Sequence, residues 1–247
     1  MTTTAVQPPL YSRFVRGALQ RLVYDMGGGP RLLKFGTVIN FQKALMFPYL
    51  AALMWFYADK TAAATSAATW IYLSLHGSYG LTWYLKDKAF GDPAWQPRIT
   101  IVGAINSILL VLGWYWVFGW LLISGHTSMN YPLPDKPWFG LCITMVMCGA
   151  VVMIAADAQK YFTLRIQRGL ITDGMFRYIR HPNYTGEMMI YGGLALLVWH
   201  WLPFVVVAWV WGGLFTANML AKEASMSRYP EWAAYKKRTK WVIPFVL

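Results

Sequence analysis

Between Arg177 and Glu187 the chain reads Arg-Tyr-Ile-Arg-His-Pro-Asn-Tyr-Thr-Gly-Glu, the densest collection of chemically able side chains in it. A proline after His181 disfavours helix at the histidine and is well placed to open one at Pro182. The unpaired amides of such a first turn, with Arg177 and Arg180 beside them, form a candidate anion site. Asn183 and Glu187 are suited to ribose hydroxyls or an amine, and Gly186 allows close backbone approach. Tyr178, His181 and Tyr184 add aromatic faces. Anchoring to lipid headgroups alone would not require His, Asn and Glu together.

A second basic and aromatic segment closes the chain: Lys222 and Glu223, then Arg228, Trp232, Tyr235 and Lys236-Lys237-Arg238. Trp232 and Tyr235 are three apart and share a helix face. This tail reads equally well as an interfacial helix whose cations meet lipid phosphates. Asp157 and Lys160 stand one helical turn apart, able either to pair with each other or to present both charges to one ligand. Further upstream, His76, Tyr79 and Trp83 fall on one face of an apolar run. They could make an interhelical hydrogen bond or line a substrate pocket, where Tyr184, Glu187, His76 and Tyr79 are the candidate proton-handling groups.

Other motifs carry less. Gly27-Gly28-Gly29-Pro30 lacks the Lys-Ser/Thr and strand–turn–helix context of a phosphate loop and reads as a connector. The breaker-rich segment 86–97 reads as a solvated turn. Cys142 and Cys148, six apart in an apolar run, fit neither a redox pair nor a metal set, so no metal site is expected.

The elements that must position these residues are apolar helices. Of 247 residues 57% are hydrophobic and only 13% charged, with a mean hydropathy of +0.38, against roughly 25% charged in soluble domains. Apolar runs at about 44–58, 66–85, 101–123 and 137–158 precede a long one from Met188 to Met219, interrupted at 200–203. Read as a hairpin, that last run completes an all-α, polytopic membrane bundle of about six spans; read as one tilted helix, it leaves five. Six spans put 20 of the 22 Lys and Arg residues on one side, which assigns both termini to the cytosol. The net charge of +12 then belongs to juxtamembrane loops facing anionic lipid, not to a nucleic-acid surface. The division expected is an interfacial segment over 1–43, a four-helix scaffold over 44–158 and a cofactor-binding part over 159–247. No cleavable signal peptide is evident in residues 1–40. The endoplasmic reticulum and the bacterial inner membrane are the natural locations.

Gln159-Lys160, Leu170-Ile171, Gly174 to Tyr178, Arg180 to Tyr184, Gly186-Glu187, Arg228 to Thr239 and Ile243-Pro244 together resemble one superfamily. It comprises the C-terminal domain of steroid 5-alpha-reductases and sterol reductases with the isoprenylcysteine and phospholipid methyltransferases. The resemblance covers roughly residues 150–247 and implies a helical membrane bundle whose cytosolic end binds NADPH or S-adenosylmethionine, with a lipid substrate entering from the bilayer. Asn183-Tyr184 before Gly186-Glu187, and the ending Tyr235 to Pro244, are similar to the reductase branch. The paired acids usual after the final span of the isoprenylcysteine methyltransferases are replaced here by Lys222-Glu223.

Three functions follow as expectations. The first is NADPH-dependent reduction of a double bond in a sterol-like or other apolar lipid. Arg177, Arg180, Lys222, Arg228, Lys236 and Arg238 would meet the cofactor's phosphates. The second is methyl transfer from S-adenosylmethionine to a lipid carboxylate or amine, with Tyr178, His181, Tyr184 and Trp232 caging the sulfonium. The third is a non-catalytic lipid-binding or structural subunit.

Overall fold

The computed structural model describes residues 5–246; residues 1–4 of the expected N-terminal segment and Leu247 lie outside that range. Twelve α-helices occur among the described residues: α1 (Leu10–Leu19), α2 (Phe35–Ala44), α3 (Met46–Tyr57), α4 (Ala67–Tyr72), α5 (Ser78–Phe90), α6 (Ile101–Ser107), α7 (Trp114–Ile123), α8 (Asp135–Ile166), α9 (Pro182–Val198), α10 (Trp201–Trp209), α11 (Thr216–Met226) and α12 (Trp232–Arg238). Wider helical turns at Leu73–Gly77 and Val210–Phe215 join α4 to α5 and α10 to α11. The starts have local causes. Ser66 accepts from the Thr69 amide ahead of α4, Thr100 accepts from the Gly103 amide ahead of α6, and Pro182 opens α9.

Two expectations are corrected. The fold is mostly rather than wholly helical, because β1 (Leu33–Lys34) and β2 (Arg98–Ile99) pair antiparallel, Leu33 opposite Ile99 and Lys34 opposite Arg98. More consequentially, the bundle of about six spans is not found. Among the described residues, two helices are long and apolar enough to cross a membrane, Asp135–Ile166 and Trp201–Met226. A third is reached only if Ile101–Leu112 and Trp114–Ile123, bent by 49°, count as one broken span.

The shortfall has physical causes. Helix α3 has 12 residues, roughly 18 Å at 1.5 Å per residue, against a hydrocarbon core of about 30 Å. The run through α4 and α5 is long enough but is diluted by Ser74, His76, Ser78 and Thr82 before reaching Lys86, Asp87 and Lys88. Helix α9 stops at Val198 after 17 residues, where Trp199 turns the chain with φ 49°. The cytosolic placement of both termini rests on six spans and falls with that number.

The chain divides into two compact units. The first contains residues up to Leu19, then Cys148–Met189 and Ala208–Leu247. In it α1 lies on α11 and on the turns at Val210–Phe215, with Ser12 Oγ donating to the Ala217 carbonyl at 2.6 Å and the Tyr11 hydroxyl to that of Gly212 at 2.5 Å. Helix α9 meets α8 at Gly186, where a Cβ would stand 2.5 Å from the Gly149 carbonyl oxygen. Tyr184, Met219 and Val242 form an apolar cluster with Met188, Phe215 and Trp241 against it. The second unit holds Gln20–Met147 and Ile190–Val207. There α2 packs on α5 and α3 on α7, around a core that includes Leu50, Tyr72, Phe118 and Leu122.

Candidate functional site

In the first unit, the stretch before α9 is strapped to the chain's last residues. Ile179 and Lys240 form a parallel bridge. The Arg180 amide donates to the Lys240 carbonyl at 2.9 Å, the His181 amide to that of Trp241 at 3.2 Å, and the Lys240 amide to that of Tyr178 at 2.9 Å. Thr185 Oγ1 adds a bond to the Val242 carbonyl at 2.6 Å. The two basic-aromatic segments therefore form one body.

Glu223, near the end of α11, is the charged centre of that body. Its Oε1 accepts from Arg180 Nε at 2.5 Å and lies 3.6 Å from His181 Nε2, while Oε2 lies 3.4 Å from Lys236 Nζ. The Arg180 and Glu223 side chains are only 9% and 11% exposed. Arg180 Nη1 also donates to the Thr239 carbonyl at 2.7 Å. Burial holds the His181 ring below its ordinary pKa, against the opposing pull of the Glu223 carboxylate. Arg180, assigned by sequence to a phosphate, thus spends its guanidinium on a neighbouring carboxylate and a carbonyl. Glu223 is what orients it.

An open cleft of about 510 Å³ lies beside this centre in the same unit, lined by Thr172, Asp173, Gly174, Arg177, Tyr178 and Arg238. Gly174 takes φ 54° and lies against the Gln159 amide, whose Oε1 accepts from the Met175 amide at 2.9 Å. Gln159 on α8 thereby fixes the turn that forms one lip. The other lip is set by α12: Arg238 donates to the Thr172 carbonyl at 3.3 Å, and the Tyr235 hydroxyl to that of Phe176 at 2.8 Å. Burial pushes the Tyr235 phenol up to about 12, so it stays a donor across the neutral range. Arg177, Tyr178 and Arg238 are exposed at the cleft, with the Arg177 guanidinium 5.5 Å from the Tyr178 ring. Thr172 and Asp173 line it as well.

The remaining candidates in this unit take other positions. Tyr184 is buried, its ring against Phe215 and beneath the Lys222 ammonium at 4.5 Å. Asn183 and Glu187 are half-buried on the first turns of α9, and Asp157 and Lys160 half-buried on α8. Trp232 is buried, with Lys236 at 5.8 Å from its ring. Arg228 is exposed beside Tyr229.

His76 and Tyr79 belong to the second unit, where both are buried. His76 Nδ1 lies 2.8 Å from the Tyr72 hydroxyl. Lys43 donates to the Tyr79 hydroxyl at 3.4 Å and to that of Tyr191. Neither Lys43 nor Tyr191 stood out in the sequence. Lys43 looked like one more flanking cation, and Tyr191, 148 residues away, is one apolar-run aromatic among many.

Comparison with known proteins agrees with this picture at a coarse level. An uncharacterised protein of Schizosaccharomyces pombe is 29% identical over 131 residues, 51% of this chain and 44% of that protein. The steroid 5-alpha-reductase DET2 of Solanum lycopersicum is 29% identical over 122 residues, 47% of this chain and 46% of the relative. DET2 of Arabidopsis thaliana is 26% identical over 126 residues, 49% and 47% of the two chains. The chain spans about half the length of these curated relatives. The likeness to steroid 5-alpha-reductases is thus distant and real. A family profile, described as Protein of unknown function (DUF1295), matches residues 30–241, far beyond the region 150–247 that carries the motifs. The chain belongs to that family.

Proposed function

We propose that this protein is a membrane-associated, NADPH-dependent reductase of a double bond in a sterol-like or other apolar lipid. The observation that carries the reading is the cleft of the first unit, which sets two guanidinium groups, Arg177 and Arg238, beside the exposed Tyr178 ring and the Asp173 carboxylate. This donor set fits a dinucleotide phosphate: arginines take phosphate oxygens in short, charge-assisted bonds, the phenol offers a stacking face, and the carboxylate accepts from ribose hydroxyls. The distant similarity to DET2 reductases supports the same class.

When bound, the cofactor supplies a hydride. The protein's own residues do the rest. Glu223 holds Arg180 and the strap it anchors, so the lips of the cleft keep their spacing. Asn183 and Glu187, on the first turns of α9, orient the sugar or the nicotinamide end. A proton must reach the second carbon, and phenols are suitable donors. Tyr184, its ring 4.5 Å from the Lys222 ammonium, is our choice in the first unit.

The reading is tested by titrating the full chain, in lipid nanodiscs, separately with NADPH and S-adenosylmethionine. Saturable binding of NADPH with no response to the methyl donor is expected. The reverse pattern would replace reduction by methyl transfer, and binding of neither by folded protein would leave a non-catalytic subunit.

A further inference from the structure

In the second unit residues 25–34 are all exposed, and the fold lays them beside residues 98–102. The β1–β2 pairing sets Leu33 opposite Ile99 and Lys34 opposite Arg98, and Arg98 Nη1 donates to the Leu32 carbonyl at 3.0 Å. The turn at Gly27-Gly28-Gly29 closes onto the start of α6. Thr100 Oγ1 donates to the Met26 carbonyl at 2.9 Å, and a Cβ on Gly27, which takes φ 92°, would stand 2.6 Å from Val102 Cβ. The triple glycine, a connector in sequence, is therefore a turn packed closely on a helix end.

This junction presents large apolar side chains outward: Met26, Leu32, Leu33, Ile101 and Val102. From it an apolar ridge runs on through Ile105 and Leu109, four residues apart along α6 and the wider turns after it, both more than half exposed. An exposed apolar patch rimmed by charge marks a docking surface, and this rim is cationic. Arg21, Arg31, Lys34 and Arg98 are exposed. The one acid within 20–34 and 95–107 is Asp25, which pairs with Arg31 at 3.0 Å. Lys34 and Arg98 have neutral partners among the described residues, Gln96 Oε1 at 3.2 Å and the Leu32 carbonyl. They also stand directly opposite each other on the paired strands, an arrangement of like charges that is destabilising on its own. An anion shared between them removes that repulsion.

We propose that this junction docks the second unit on the surface of a bilayer carrying anionic lipid. Headgroup phosphates sit between Lys34 and Arg98, while Met26, Leu32, Leu33 and the α6 ridge reach the acyl boundary. Cations interleaved with large apolar side chains suit the headgroup layer, where anionic lipid attracts each of them. The position in the fold agrees: Ile101–Leu112 is the first half of the bent pair apolar enough to cross a membrane. The cations stand just ahead of it, where such a segment leaves the hydrocarbon. The surface stands on the second unit alone and does not depend on which cofactor the first unit takes.

The test reads amide hydrogen exchange over residues 26–34 by mass spectrometry. The full chain is placed in nanodiscs of phosphatidylcholine alone, or of phosphatidylcholine with about one-third phosphatidylglycerol. Wild-type exchange is expected to be slower by about tenfold or more in the anionic nanodiscs, as two cations held at a charged surface imply. Lys34→Gln combined with Arg98→Gln should bring the ratio of the two rates close to one. Salt at about 1 M should do the same to wild type, because screening then acts within about 3 Å. Lys34→Arg should keep the ratio. Each variant is compared between the two lipids, so a ribbon that merely loosens raises both rates and leaves their ratio unchanged. Equal exchange by wild type in the two bilayers would overturn the proposal and leave the face to a protein partner. A ratio that survives the double substitution would overturn it as well.

Discussion

Replacing Glu223 by alanine removes the carboxylate on which Arg180, His181 and Lys236 converge. The guanidinium left behind is buried, its side chain 9% exposed, and keeps neutral partners in the carbonyls of Thr239 at 2.7 Å and Lys236 at 3.4 Å. Removing one member of a buried ion pair costs about 3–5 kcal/mol. Because Arg180 retains two carbonyls, the lower end applies, and the expected loss is about 3 kcal/mol. Lys236 is half exposed, so Lys236→Ala should cost less than about 1 kcal/mol. Chemical unfolding in detergent micelles measures both, and a cycle with Arg180→Met isolates the pair. The double variant should be more stable than the sum of the single losses implies by at least about 1 kcal/mol. Strict additivity, or a loss below about 1 kcal/mol for Glu223→Ala, would refute the clamp and return Arg180 to the pool of ligand-binding cations.

The His181 ring, held below its ordinary value near 6.5 by burial, takes up a proton in the unfolded chain before it does in the folded one. Its contribution is therefore complete above about pH 6.5 and is lost progressively as pH falls through that value; melts of wild type and His181→Gln between pH 5 and 8 should show a steeper acid decline in wild type. Gly186→Ala places a Cβ 2.5 Å from both the Gly149 oxygen and the Met153 nitrogen, backbone atoms that cannot swing away, and should cost about 1–3 kcal/mol. Gly212→Ala, with nothing within 4 Å of the new carbon, should be neutral or slightly stabilising in the same unfolding assay.

What could be read from sequence was local. Pro182 after His181 announces the start of α9, and Gly174 after Asp173 announces a turn, because proline and glycine restrict or free the backbone on their own. The strap between 178–181 and 239–242 depends on backbone pairing across some sixty residues, and no side-chain pattern encodes it. Glu223 stood in the sequence as the acid beside Lys222; its partner Arg180, 43 residues earlier, is visible only once α11 and the strap are in place. The number of membrane spans misled for a related reason. Hydrophobic content in the runs at 44–58 and 66–85 was real, but helix breaks and interior polar groups such as His76 decide whether an apolar run can cross a bilayer. Lys43 and Tyr191 illustrate the limit most sharply: a cation at one helix end and a tyrosine far downstream become neighbours only through tertiary packing.

The central claim, that the cleft beside the strap holds a dinucleotide phosphate, is tested most directly by NADPH titration of the folded full chain and of Arg177→Gln combined with Arg238→Gln. Both side chains are exposed, so the variant should melt close to wild type while its NADPH affinity falls by at least about tenfold, the loss expected from two charge-assisted phosphate bonds. An affinity unchanged by the double substitution, or no NADPH binding by the folded wild type, would contradict the account.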